Sequence, residues 1–196
     1  MAVAARHKAD VEERILAATL AIIGEHGLQG VTHRAVADEA RVSLGAISHH
    51  FSSRADLLDR ALHRVAANEV AHLQRLALDL QARAFDTDEW IHAMARALGT
   101  DLRRNRARHL AQYELLLACA RDPKIRELSR AWRQAHLLVA EVGLRAAGSR
   151  DPETHAQLLT AALTGLLLKQ LAYPARNFTD EVLEPSLREL VSALVG

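Results

Sequence analysis

The segment ARVSLGAISHHFSSRADLL, residues 40–58, sets His49 beside His50 behind a run of very small residues. Imidazole offers metal ligation, proton transfer, or hydrogen bonding to a base or phosphate. Direction argues against a shared metal, because neighbouring side chains on a helix point about 100° apart. The chain has eleven histidines but no His-x-x-x-His pair, and Cys119 is its single cysteine. The series Gly24, Gly27, Gly30 lacks the preceding strand and the Lys-Ser/Thr of a phosphate-cradling loop. No Ser-His-Asp or paired-carboxylate pattern stands out. We therefore expect no catalytic residue, no metal and no cofactor, and a buried, inert thiol at Cys119.

The remaining chemistry is recognition. With Ile47 as the inward reference of a short helix, Gly45 and His49 fall opposite it. Ala46 and Ser48 lie at the sides, and Leu44 and His50 at the margins. The outward face is almost free of bulk. A solvated helix without a partner normally carries Glu, Lys or Gln there, and glycine costs about 1 kcal/mol relative to alanine, so this face fits close approach to a surface. Arg34 and Arg54 flank the helix, and helix N-termini offer free amides to phosphates.

Placement has to carry that reading, because total charge does not. Lys and Arg number 25 against 24 Asp and Glu, and residues 1–60 hold seven against eight. The start, MAVAARHKADVEER, has charges where a signal peptide would be apolar, and the longest apolar run, residues 158–168, is too short for a membrane span. A cytoplasmic protein is expected.

The elements that must position these residues are helical throughout. The first helix spans about residues 9–26 and stops at Gly27, with Gly24 weakening its last turn. Thr32 and Ser43 then cap two very short helices, each with a hydrophobic staple: Val31 with Val36, and Val42 with Ile47. Ser53 caps a long fourth helix to about Ala82, with Leu58, Leu62, Val65, Leu73, Leu76 and Leu80 on one face. Thr87 is read as the cap of a fifth helix. Helices follow over about residues 106–121, 122–147, 152–172 and 185–195. The fold class is all-α, about nine helices. An N-terminal three-helix helix-turn-helix domain, residues 1–55, is followed by a larger helical domain, residues 56–196.

The segment from Arg14 to Leu62 resembles the DNA-binding domain of the tetracycline-repressor (TetR/AcrR) family of bacterial transcriptional regulators. The resemblance rests on Gly27, Thr32, Arg34, Val36, Ala37, Ala40, Val42, Ser43, Gly45, His49, Phe51, Ser53, Leu57 and Leu58 at family spacing without a gap. It implies that Thr32, Arg34, Ser43, Gly45 and His49 face double-stranded DNA, that Arg54 takes a phosphate and that Phe51 is core. His33, Arg41, Leu44, Ser48 and His50 complete the candidate DNA-binding set. In the family a basic residue is common where Leu44 stands, tyrosines where Ser48 and His50 stand, and a turn glycine where Arg41 stands. Arg41 is therefore expected at positive φ, kept there for a phosphate contact.

The resemblance further implies that the larger domain takes a small-molecule effector. The residue candidates are Trp90 with Met94, Tyr113 with Leu117, and Trp132 with His136, each pair on one helix face. A homodimer is expected through Leu159, Leu163, Leu166 and Leu167 of the penultimate helix and Leu187, Leu190, Val191 and Leu194 of the last. Paired heads would then read a palindromic operator. The alternatives are an all-α enzyme with a vestigial DNA module and a ligand-free architectural DNA binder.

Overall fold

The computed structural model describes residues 2–61, 63–64, 75, 78 and 85–196, and every regular element among them is helical. The expected apolar positions Leu62, Val65, Leu73, Leu76 and Leu80 lie outside the described residues. The chain divides into two compact units: residues 1–66 with 106–129, and residues 67–105 with 130–196.

In the first unit, α1 (Ala2–His26) starts earlier than expected and ends where Gly27 takes φ 68°. A 3₁₀ turn (Leu28–Gly30) leads to α2 (His33–Ala40) and α3 (Leu44–His50), followed by α4, described over residues 54–61 and 63–64. Ile15, Leu16, Ile22 and Ile23 of α1 pack with Val31, Val36, Ile47, Phe51, Leu57 and Ala61 in one buried cluster. Ala111 of α6 (Arg106–Arg121) joins it. Gly24 has a packing reason the sequence did not disclose: a Cβ there would lie 2.1 Å from the Ala107 carbonyl oxygen, so glycine lets α6 cross α1 at backbone distance.

The expected helix over 122–147 is two helices, α7 (Pro123–Leu128) and α8 (Arg130–Ala146). They part at Ser129, whose hydroxyl donates to the Arg126 carbonyl (3.0 Å) and lies 3.1 Å from Cys119 Sγ. Cys119 is buried, against Leu115 and Ile125.

In the second unit, α5 (Thr87–Arg104) is capped by Asp86 rather than Thr87. The Asp86 carboxylate accepts from the Glu89 N–H at 2.8 Å, and Thr87 is already helical. A carboxylate suits the positive end of the helix dipole better than a hydroxyl does. Helix α9 (Pro152–Ala172) packs along α8, and α10 (Glu184–Val195) along α5. One turn of π-helix (Phe178–Leu183) precedes α10 and was not foreseen. Its Asp180 pairs with Arg96 (3.3 Å), and Glu184 with His92 (3.0 Å), fastening this end of the chain to α5.

Asp56, in the first turn of α4, accepts the Ser52 N–H at 2.8 Å and the Ser52 hydroxyl at 3.0 Å, while Ser53 Oγ accepts the Asp56 N–H at 3.1 Å. The Ser52 amide holds the Asp56 carboxyl below the ordinary carboxylate range. Partial burial opposes this, and the Ser52 hydroxyl and the Arg60 charge assist. A carboxyl with a depressed folded value contributes stability above its unfolded value and loses it as pH falls through the folded one. Asp56→Ala should therefore cost about 1 kcal/mol at neutral pH and little once the carboxyl is protonated. Urea melts at neutral and strongly acidic pH check this; an equal deficit at both would show that the charge is irrelevant.

Candidate nucleic-acid interface

The two short helices start as the sequence predicts. Thr32 Oγ accepts from the Ala35 N–H (3.1 Å) and Ser43 Oγ from the Ala46 N–H (3.1 Å). Val31, Val36 and Ile47 are fully buried and Val42 is half-buried, so each staple seats its helix on the common core. That seating turns the other face of α3 outward: Gly45, Ser48 and His49 are exposed, and Leu44 is 52% exposed. Thr32, Arg34, Arg41 and Ser43 are exposed as well. A Cβ on Gly45 would meet nothing nearer than Ser43 Oγ at 3.8 Å, so no packing among the described residues demands glycine there.

Three candidates are placed differently. His50 turns inward: its side chain is 6% exposed, 3.8 Å from Glu12 of α1 and beside the Phe51 ring. His33 is half-buried, with Nε2 shielded from solvent. Arg54 is exposed as a residue, but its guanidinium is occupied. Nε donates to the Val31 carbonyl (2.7 Å) and Nη2 to that of Leu28, which ties the start of α4 to the turn before α2. In this state it buttresses the Thr32 cap.

Arg41 has φ 54° and ψ 49°, the sole described non-glycine residue at positive φ, as the turn position required. Its N–H closes the end of α2 onto Ala37 and Asp38, and its carbonyl accepts from Arg14 Nη2 at 3.0 Å. Arg14, which also reaches the Ala40 carbonyl, was missed in the sequence. Its partners lie 26 and 27 residues away, so no local pattern could announce it. A left-handed non-glycine residue costs about 1 kcal/mol. Arg41→Gly should raise stability by roughly that amount, and should weaken operator binding if the exposed guanidinium meets a phosphate. Thermal melts and a binding isotherm read both; unchanged affinity would remove the phosphate role.

The effector candidates divide between the units: Tyr113 and Leu117 belong to the first, the other four to the second. Trp90 is 8% exposed and is packed as core, with its ring where a Cβ on Gly143 would clash and 5.6 Å from that of Phe85. Trp132 meets His136 edge-on at 4.9 Å between ring centroids. Its indole N–H is buried without an acceptor among the described residues, and His136 Nδ1 lies 3.0 Å from the Trp132 carbonyl oxygen. Met94 and Tyr113 are half-buried, while Leu117 is 52% exposed. A polar cleft between α1 and α4, lined by Asp10, Glu12, Glu13, Leu16 and Arg64, includes none of them. Among the described residues, no three His, Cys, Asp or Glu side chains are grouped to hold a metal ion, and no helix is long and apolar enough to cross a membrane.

The residues expected at a dimer interface are covered to different extents by their own chain. Leu159, Leu167, Leu187, Val191 and Leu194 are buried by their own chain, and Leu163, Leu166 and Leu190 are half-buried. The apolar face that α9 leaves open consists of Leu158 (51% exposed), Ala161, Gly165, Leu168 (44%) and Ala172, spaced three and four residues apart.

This arrangement, a capped helix-turn-helix followed by a helical domain, defines a class of DNA-binding regulators. Residues 15–61 match the model of bacterial regulatory proteins of the tetR family, and residues 85–196 match that of the tetracyclin repressor-like C-terminal domain. The chain belongs to the TetR family of transcriptional regulators. The HTH-type transcriptional regulator PksA of Bacillus subtilis is 35% identical over 66 residues, 34% of this chain and 32% of PksA, so the match spans about a third of that relative. A transcriptional regulator from Rhodococcus sp. Rha1 is 28% identical, with 93% of this chain and 95% of that one aligned at a TM-score of 0.74. A TetR family member from Streptomyces coelicolor A3 is 30% identical (95% and 98% covered, TM-score 0.67). The multidrug binding protein EbrR, complexed with proflavin, is also 30% identical (94% and 99%, TM-score 0.62).

Proposed function

We propose that the protein is a homodimeric, sequence-specific DNA-binding transcriptional repressor released from a palindromic operator by a small-molecule effector. The observation that carries this reading is the face of α3: Ile47 is fully buried, while the positions opposite it, Gly45 and His49, are exposed and leave room for the floor of a major groove. The reading head ends near residue 55, and residues 56–196 hold the effector and dimer functions. In the latter, the unpaired indole N–H of Trp132, edge-on to His136 with Met94 in the same unit, supports an effector that brings an acceptor to an aromatic surface. The complexes of EbrR with proflavin and ethidium favour a planar aromatic one. The open α9 stripe supports a second copy packed about a two-fold axis.

Selection of bound duplexes from random DNA by the purified full chain tests the reading. We expect an enriched palindrome with half-site centres about 10 bp, or a multiple of that, apart. Proflavin added to the complex should release it and quench Trp132. A pool with no enriched palindrome would overturn operator recognition, and an unaltered complex would overturn the effector assignment.

A further inference from the structure

Helix α3 has seven residues, about two turns and about 10 Å, too short to hold its own axis without tertiary support. Its start is fixed by the Ser43 cap. Its far end is held by one side chain of α4. Arg60 Nη1 donates to the His50 carbonyl at 2.9 Å, Nη2 pairs with Glu12 Oε1 of α1, and the guanidinium carbon lies 4.6 Å from the centre of the Phe51 ring. The His50 side chain closes the group: it is 6% exposed, with Nδ1 3.8 Å from the other Glu12 oxygen. One turn further on, Arg64 pairs with Glu13. All these residues belong to the first unit.

From this we infer that Arg60, oriented by Glu12, is a positioning residue for DNA reading: it sets the angle at which α3 presents Gly45, Ser48 and His49. The inference rests on the DNA-binding function proposed above. Its physical basis is the planar guanidinium fork, which serves a carbonyl and a carboxylate at once while its face covers an aromatic ring. A lysine ammonium offers no such fork. A cation at the negative end of the α3 dipole also suits the last carbonyls of that helix. With both terminal nitrogens engaged inside the unit, Arg60 acts on DNA through α3 rather than by touching it.

The test uses the full chain as parent, Arg60→Lys, Arg60→Gln and Glu12→Gln, with the duplex the parent selects and a scrambled duplex. Binding is measured over a series of salt concentrations, well below each melting temperature, with folding checked by circular dichroism. We expect operator affinity to fall at least tenfold in Arg60→Gln and less in Arg60→Lys and Glu12→Gln. Scrambled-duplex binding and the salt slope should stay as in the parent. A slope reduced by about one would mean that Arg60 neutralises a phosphate itself. Unchanged operator affinity with a lowered melting temperature would mean that the cluster only stabilises the fold. Either result overturns the proposal. Should Arg60→Gln not fold, the lysine variant and Glu12→Gln decide by the same criteria. If the parent selects no duplex, the DNA-binding function fails, and this inference with it.

Discussion

Gly45→Glu should leave the protein folded and remove operator binding by two orders of magnitude or more, about 3 kcal/mol. Folding is spared because a Cβ at this position meets nothing closer than Ser43 Oγ at 3.8 Å, and because Glu is the better helix former by about 0.5 kcal/mol. Binding suffers for two reasons. The side chain fills the gap through which the α3 backbone approaches the groove, and its charge faces a polyanion. Gly45→Ala separates these terms: stability should rise by about 0.5–1 kcal/mol while affinity falls by a smaller factor. Chemical denaturation and fluorescence anisotropy with the selected operator measure both. If Gly45→Glu bound as tightly as the parent, α3 would not be the reading helix.

The second large effect concerns α9. Leu158→Glu combined with Leu168→Glu should convert a dimer into a folded monomer and lower operator affinity on the order of a thousandfold, toward the non-specific level. Both leucines are about half exposed in the single chain, so the core around Leu159 and Leu171 is not opened. In a two-fold interface each stripe meets its own copy, and four carboxylates would be pressed into an apolar contact without partners. The control is Leu159→Ala, which removes a fully buried side chain and should cost 2–5 kcal/mol of stability while leaving the remaining folded protein dimeric. Sedimentation velocity reads the association state. A double variant that remains a dimer would move the interface off this stripe.

The caps at Thr32, Ser43 and Ser53 and the buried staple residues Val31, Val36 and Ile47 were legible because each is decided within about four residues along the chain. The positive φ of Arg41 came instead from the family resemblance, which puts a turn glycine at that position, and the structure has φ 54° there. The cap of α5 slipped by one because Asp86 and Thr87 are both competent caps and adjacent. Leu44 and His50 show where local reasoning stops. The wheel places them at equal angles from Ile47, yet Leu44 is 52% exposed and the His50 side chain is 6% exposed, because Glu12 and Arg60 close over one end of α3.

The sequence by itself determined that this protein is all-helical, that two short capped helices form a reading head, and that α3 turns a face without bulk outward. Only the tertiary structure decided which polar groups remain available and which apolar face stays open. Arg54 and Arg60 could each have met a phosphate, but carbonyls 23 and 26 residues away hold the one, and a carboxylate 48 residues away the other. Helix α9 is apolar on several sides, so its periodicity names no outward face. The packing of α8 and α10 against it leaves Leu158, Gly165 and Leu168 open. The physical reason is the same in each case: caps and periodicity are settled by neighbours in the chain, whereas burial and pairing are settled by competition among groups that only folding brings together.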